Sequence, residues 1–188
     1  MISLFARFLA LCVLLFILPL LLFLGLLVLV FQGKPVLFRQ MRSGEGAVPF
    51  ELIKFRSMRD TRDENGILLP DEMRTTGIGK FLRRSRIDEL PGIWNVVKGD
   101  MAIVGPRPLL PETIAELGET GVKRQSVRPG LTGWSQVSGN TLLTLDQKVA
   151  LDLWYIENKS IALDLQIIMR TVIVMVGGEK LSPDVPSN

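Results

Sequence analysis

The chain of 188 residues has no histidine and a single cysteine, Cys12. Without histidine there is no His general base, no Ser-His-Asp triad and no His-ligated metal. One cysteine excludes an intrachain disulfide, a zinc ribbon and a CxxC redox centre. A nucleophile must therefore be Ser, Thr, Tyr, Lys or a carboxylate, and a metal would be a hard, oxygen-bound ion such as Mg²⁺. The Walker and Rossmann glycine patterns are also missing, so any nucleotide is held another way. No basic stripe is interleaved with aromatics, and a net charge of +3 is too weak to argue for nucleic acid as a partner. That mild basic bias suits an anionic membrane surface or phosphate-bearing substrates.

What is abundant is apolar sequence, 47% of the residues with a mean hydropathy of +0.32. It is concentrated in residues 8–31, 24 positions without a polar side chain. A helix of that length reaches about 36 Å, enough to cross a hydrocarbon core of about 30 Å. The run is too long for a signal peptide, and no small-x-small cleavage site follows it. One reading is a single spanning helix. The other rests on Pro19, which divides the run into halves that each match roughly one leaflet. A helix-break-helix hairpin would enter and leave by the same face. Arg7 before the run and Lys34, Arg39 and Arg42 after it do not favour opposite placement of the two ends.

Beyond the run the sequence reads as an ordinary charged domain. Residues 36–41 and 50–55 predict two strands around the turn Ser43-Gly44-Glu45-Gly46. Residues 59–77 predict a surface loop, and 78–86 a basic amphipathic stretch suited to a membrane interface. Helices are expected over 87–97, 111–119, 145–158 and 161–176, the last apolar on most faces. A short strand is expected over 102–105 and a tight loop over 128–133.

The chemistry centres on Ser85-Arg86-Ile87-Asp88-Glu89-Leu90-Pro91. Helix capping by Ser85, with acids in the first turn, explains this pattern without function. The functional alternative is a carboxylate that attacks phosphorus while Arg83, Arg84, Arg86 and Mg²⁺ neutralise the approaching charge. Lys54 and Arg56 fall on one strand face and either clamp a diphosphate or are solvated. Two prolines fix the backbone around Arg107, which either presents a guanidinium to phosphate or stiffens a connector. Arg128 opens a loop that either contacts a nucleotide or turns the chain.

Six stretches in order carry a resemblance: Gln40-Met41-Arg42-Ser43-Gly44, Lys54-Phe55-Arg56-Ser57-Met58, Asp88-Glu89-Leu90-Pro91, Asn95-Val96-Val97-Lys98-Gly99-Asp100-Met101, Val104-Gly105-Pro106-Arg107-Pro108-Leu109 and Arg128-Pro129-Gly130-Leu131-Thr132-Gly133-Trp134. Together they resemble the catalytic domain of the small monotopic phosphoglycosyl transferases, over nearly the whole chain. The resemblance implies an α/β fold: a monotopic membrane protein with a re-entrant helix-break-helix over 1–33, a small cytosolic catalytic domain with interfacial amphipathic helices over 34–178, and a mobile tail over 179–188. It implies a location on the cytoplasmic face of the bacterial inner membrane, in contact with membrane lipids. By the same resemblance Asp88 attacks the β-phosphate of a UDP-sugar, UMP leaves, and polyprenyl phosphate takes the phosphosugar from the aspartyl adduct. Asp88 would lie against Mg²⁺ and Glu89 would support it, with deprotonation of the lipid phosphate as one role. Lys54, Arg56, Arg83, Arg107, Arg128 and Gln136 would bind substrate.

The sequence departs from the family pattern at three places. Leu18 precedes Pro19 where serine is common, Arg7 lacks an acidic neighbour, and Asn140 follows Gly139 where arginine is usual. At this length the extra membrane domain of longer relatives is not expected. Two other readings compete: a membrane-anchored module that binds UDP-sugar or phosphate without turnover, and a bitopic anchor whose polar part is structural.

Overall fold

A computed structural model describes residues 4–182, and the end of the expected tail, 183–188, lies outside the described residues. Helix α1 (Leu4–Gln32) is continuous through Pro19. One proline removes one N–H and one helical bond, which the remaining turns of so long a helix bridge. Only Ala10, Leu24, Val28 and Gln32 of α1 are buried, while Phe16 is 85% exposed. Among the described residues this is the one helix long and apolar enough to cross a membrane.

Both ends of α1 nevertheless sit on the polar part of the chain. Near the start, Ala10 packs with Phe50, Val96 and Met101, and Arg7 Nε donates to Val97 O at 2.8 Å. Near the end, Leu24 and Val28 pack with Phe55 and Leu82, and Gln32 Nε2 donates to Thr76 Oγ1 at 2.6 Å.

Strands β1 (Leu37–Ser43) and β2 (Pro49–Phe55) form the expected antiparallel hairpin, with Phe38 opposite Lys54 and Arg42 opposite Phe50. The following loop contains one short helix, α2 (Asp71–Arg74). Helix α3 (Gly77–Arg84) starts where Thr76 Oγ1 accepts from Gly79 N at 3.2 Å. It covers most of the expected amphipathic stretch. Its C-terminus is followed by Arg86 in the left-handed region, φ 56°.

The single helix expected over 87–97 is two elements: a 3₁₀ turn (Ile87–Gly92) and α4 (Ile93–Lys98). Pro91 supplies the reason, since it has no N–H to give an α-helical ladder. Fully buried Asn95 ties α4 to the hairpin. Its Nδ2 donates to Glu51 O at 2.8 Å, and its Oδ1 accepts from Ile53 N at 3.3 Å.

Strand β3 (Ala102–Val104) is followed by α5 (Pro111–Glu116) and α6 (Gly118–Arg124), where one helix was expected. The loop after Arg128 is in fact a strand, β4 (Gly130–Thr132), parallel to β3. Helix α7 (Trp134–Val137) then leads to α8 (Leu145–Asn158) and α9 (Ile161–Gly177), both close to expectation. Val104, Trp134, Leu151, Tyr155 and Ile167 form the core beneath them.

Glycine makes the β3–β4 contact possible. A Cβ on Gly130 would lie 2.1 Å from Gly105 N and 2.3 Å from Thr132 O. Both neighbours are backbone, so the strands must separate to admit it. Gly130→Ala is expected to cost about 1–3 kcal/mol, read as a lower melting temperature.

Candidate active site

The 3₁₀ turn carries Asp88 and Glu89 into contact with elements from across the chain. Glu89 Oε1 accepts from Arg107 Nη2 at 2.5 Å, and its Oε2 accepts from Arg86 Nη2 at 3.2 Å. Arg86 is buried and also donates to Gln136 O at 3.3 Å. The left-handed backbone at Arg86 folds this side chain back over the turn that follows it. Ser85 does not cap the turn. Its hydroxyl donates backward to Phe81 O at 2.8 Å, ending α3. Helix capping therefore does not account for the acidic pair.

The two carboxylates are pushed apart chemically. Burial works to raise Glu89, but Arg107 and Arg86, with help from Lys54, override it and hold its pKa down at about 2. Burial and the adjacent Glu89 charge lift Asp88 to about 6, against the opposing pull of Lys54, Arg107 and Arg83. The Asp88 carboxylate makes no hydrogen bond or ion pair among the described residues. One acid is thus locked as a structural anion, and its neighbour is left free with raised basicity.

A cleft opens on Glu89, lined by Arg42, Lys54, Arg107, Leu131 and Gln136 among others. Burial, with Arg107 adding to it, lowers the pKa of Arg42; burial likewise lowers Lys54, opposed by Asp88. Lys54 Nζ stands 5.2 Å from the centroid of the Phe38 ring, its cross-strand partner. Three cations around a cleft favour a multiply charged anion such as a diphosphate. Gln136 is buried, and its Nε2 donates to Leu131 O at 3.2 Å. Its Oε1 has no hydrogen-bond partner among the described residues. A ligand hydroxyl or N–H would satisfy that atom.

The expected site residues therefore divide. Glu89, Lys54, Arg107 and Gln136 come together along the cleft. Asp88 is not among the lining residues; it lies beside them, close enough to feel the charges of Lys54 and Arg107. Arg83 is exposed, donates to Met58 Sδ at 3.6 Å, and reaches Asp88 through its field. Arg56 is not in the cleft: β2 ends at Phe55, and the buried Arg56 guanidinium donates to Gln32 O and pairs with Asp60 at 3.6 Å. Arg128 pairs with Glu45 at 3.0 Å, outside the cleft lining.

Three functional features escaped the sequence reading. In the sequence Arg42 reads as a flanking charge, yet strand alternation puts it on the face of Phe38 and Lys54. Arg124 and Asp152 form a buried pair at 2.6 Å, with Ser135 Oγ donating to Asp152 Oδ1 at 2.7 Å. Arg124 also donates to Arg107 O, so the pair holds the Gly105-Pro106-Arg107-Pro108 segment from behind. Finally, Glu179 accepts from Asn140 Nδ2 and from Thr141 N, the latter at 3.2 Å. The position where the family usually has arginine is thus tied to an acid beyond α9.

Known proteins give this geometry a family. Residues 1–178 match the bacterial sugar transferase family. The uncharacterized sugar transferase EpsL of Bacillus subtilis (strain 168) is 48% identical over 140 residues, covering 74% of this chain and 69% of the relative. The UDP-glucose:undecaprenyl-phosphate glucose-1-phosphate transferase of Xanthomonas campestris pv. campestris is 40% identical over 171 residues, covering 85% of this chain but 35% of the relative. The UDP-N-acetylgalactosamine-undecaprenyl-phosphate N-acetylgalactosaminephosphotransferase of Aeromonas hydrophila is 36% identical over 168 residues, covering 85% and 40%. The chain spans less than half the length of the latter two relatives. The chain belongs to the bacterial sugar transferase family.

Proposed function

We propose that the protein moves a phosphosugar from a UDP-sugar to polyprenyl phosphate, through a covalent adduct on Asp88. The observation that carries this reading is the free, raised Asp88 carboxylate beside a Glu89 whose two oxygens are both taken by arginine. In the first step an Asp88 oxygen bonds to the β-phosphorus as the bond from that phosphorus to the bridging oxygen breaks. UMP leaves with that oxygen and its electron pair. In the second step an oxygen of polyprenyl phosphate bonds to the same phosphorus, and Asp88 leaves as the free carboxylate. Lys54, Arg42 and Arg107 neutralise the diphosphate, and Gln136 Oε1 accepts from a donor on the sugar or base. Two relatives named above are UDP-sugar:undecaprenyl-phosphate transferases by name, which supports this donor and acceptor.

Glu89 serves better as an anchor than as a base. A carboxylate held near pKa 2 takes a proton from a lipid phosphate poorly. Its work is to fix Arg107 and Arg86 and to keep Asp88 basic. Mg²⁺ fits the donor chemistry: Asp88 would hold the ion through its carboxylate, and such an ion needs few protein ligands. When bound, the ion supplies further neutralisation of the diphosphate.

The break expected at Pro19 is absent, but the packing of Arg7 and Ala10 at one end of α1 and of Leu24, Val28 and Gln32 at the other supports a helix that keeps both ends on one face of the membrane. A crossing of about 30 Å would carry Arg7 away from Val97. In a Cys12→Ser background, cysteines at the exposed positions Phe5 and Lys34 are expected to react from the same side of sealed vesicles. Opposite reactivity would replace this one-face placement with a spanning helix.

Turnover is expected to fall as pH drops through about 6, when Asp88 gains a proton. Added Mg²⁺ opposes that proton and is expected to move the acid limb to lower pH. The test of the reaction itself is UMP release from a panel of UDP-sugars with Mg²⁺ and polyprenyl phosphate. Binding of UDP-sugars without UMP release would leave a binding module instead.

A further inference from the structure

A second, half-open groove lies beside the basic cleft and differs from it in character. Its walls are mostly apolar: Leu90 from the 3₁₀ turn, Ile103 and Leu131 from the β3–β4 pair, and Ile168, Val172 and Met175 from α9. The hydroxyls on its walls satisfy one another, since Thr132 Oγ1 and Thr171 Oγ1 are 2.7 Å apart and Thr171 also donates to Ile167 O at 2.8 Å. Nothing along the groove asks for a polar ligand. At one end it reaches Glu89 and Arg86, and it shares Glu89 and Leu131 with the basic cleft. Just outside it, Met169, Ile173 and Val176 of α9 are exposed, Val176 at 88%. Such a run of exposed apolar side chains fits lipid better than water.

An occupant that fills both spaces has an anionic head for the cations and an apolar tail for the groove. We propose that the groove between α9 and the β3–β4 pair holds the phosphate-proximal isoprenes of the lipid acceptor. This inference rests on the proposed transfer to polyprenyl phosphate and assigns a place to the acceptor's tail. Ile168 to Met175 spans about 10 Å of helix, so the groove takes the head-proximal part of the chain. The remainder leaves past the exposed face of α9. The head group then lies against Arg86 and Arg107, on the Glu89 side of the phosphosugar, where an acceptor oxygen can approach the phosphorus carried by Asp88.

The experiment uses the full chain in lipid nanodiscs and an isoprenyl phosphate with a photoreactive diazirine in its first isoprenes. Crosslinks are expected on Leu131 and on residues 168–175. In parallel, Val172→Trp and Met175→Trp fill the groove. Each is expected to raise KM for polyprenyl phosphate about tenfold, the loss of about 1.4 kcal/mol of contact. Exchange of labelled UMP into UDP-sugar, which needs no lipid, reads the first step separately. Crosslinks confined to α1, a groove covered by a second copy of the chain, or an unchanged KM with exchange intact would each overturn the groove assignment alone. No UMP exchange in the unaltered protein would instead remove the proposed reaction and the acceptor site with it. A tryptophan variant that does not fold leaves the decision to the crosslink on the unaltered chain.

Discussion

Asp88→Asn is expected to abolish turnover, by at least about a thousandfold, and at the same time to stabilise the fold. The first effect follows from removing the one carboxylate at the site that is free to bond to phosphorus. The second follows from linkage. Asp88 rises from 3.8 to about 6 on folding, so the folded state prefers its protonated form. That preference costs nothing at low pH. The cost appears as pH rises past the unfolded value and is complete above about pH 6. It amounts to about 3 kcal/mol, as an upper figure for a shift of this size. Asparagine carries no charge to desolvate and escapes the cost. At pH 8 the variant is expected to melt several degrees higher, roughly 5 °C for a chain of this size. Between pH 4 and pH 7 the melting temperature of the unaltered protein should fall relative to that of the variant. Loss of activity through unfolding would give the opposite trend.

Arg124→Met is expected to give the largest loss of stability, about 3–5 kcal/mol. The Arg124 and Asp152 side chains are only 4% and 1% exposed. Removing the guanidinium leaves Asp152 buried with Ser135 as its remaining partner, and burial already raises the Asp152 pKa despite Arg124. The melting temperature is expected to drop by about 10 °C. Turnover of the fraction that stays folded should also fall, because Arg124 donates to Arg107 O and thereby fixes the guanidinium that faces Glu89. Asp152→Asn combined with Arg124→Met is expected to cost less than the sum of the two single changes, since the second removes a charge the first had stranded. Additive losses would show that the pair is not a unit.

The parts of this molecule written in local pattern were legible before the structure. The hairpin followed from alternation around a glycine turn, and α8 and α9 from helical spacing. The acidic pair stood out because no histidine or second cysteine competes with it. Other parts depend on contacts that no local pattern encodes. Lys54 and Arg56 share a strand parity, but β2 stops at Phe55, and Arg56 turns to Gln32 and Asp60. Arg128 lies in the right loop but finds Glu45 as a counter-ion. Arg42 was recoverable from alternation, had its pairing with Phe50 been known. Asn95, Arg124 and Asp152 read as ordinary polar residues, and only burial shows that they hold the hairpin and the Arg107 segment. The short strand β3 was legible, but its partner β4 reads as a loop, because three residues flanked by glycine and proline carry no alternation, and only Gly105 and Gly130 mark where backbone meets backbone.

The account stands or falls on the covalent step. The direct measurement is the intact mass of the purified protein after incubation with Mg²⁺ and a UDP-sugar, without lipid acceptor, followed by peptide mapping. The predicted result is a mass increase equal to one phosphosugar, located on Asp88, formed with release of UMP and removed by polyprenyl phosphate. Full turnover by Asp88→Asn, or turnover of the unaltered protein with the adduct on any other residue, would contradict it.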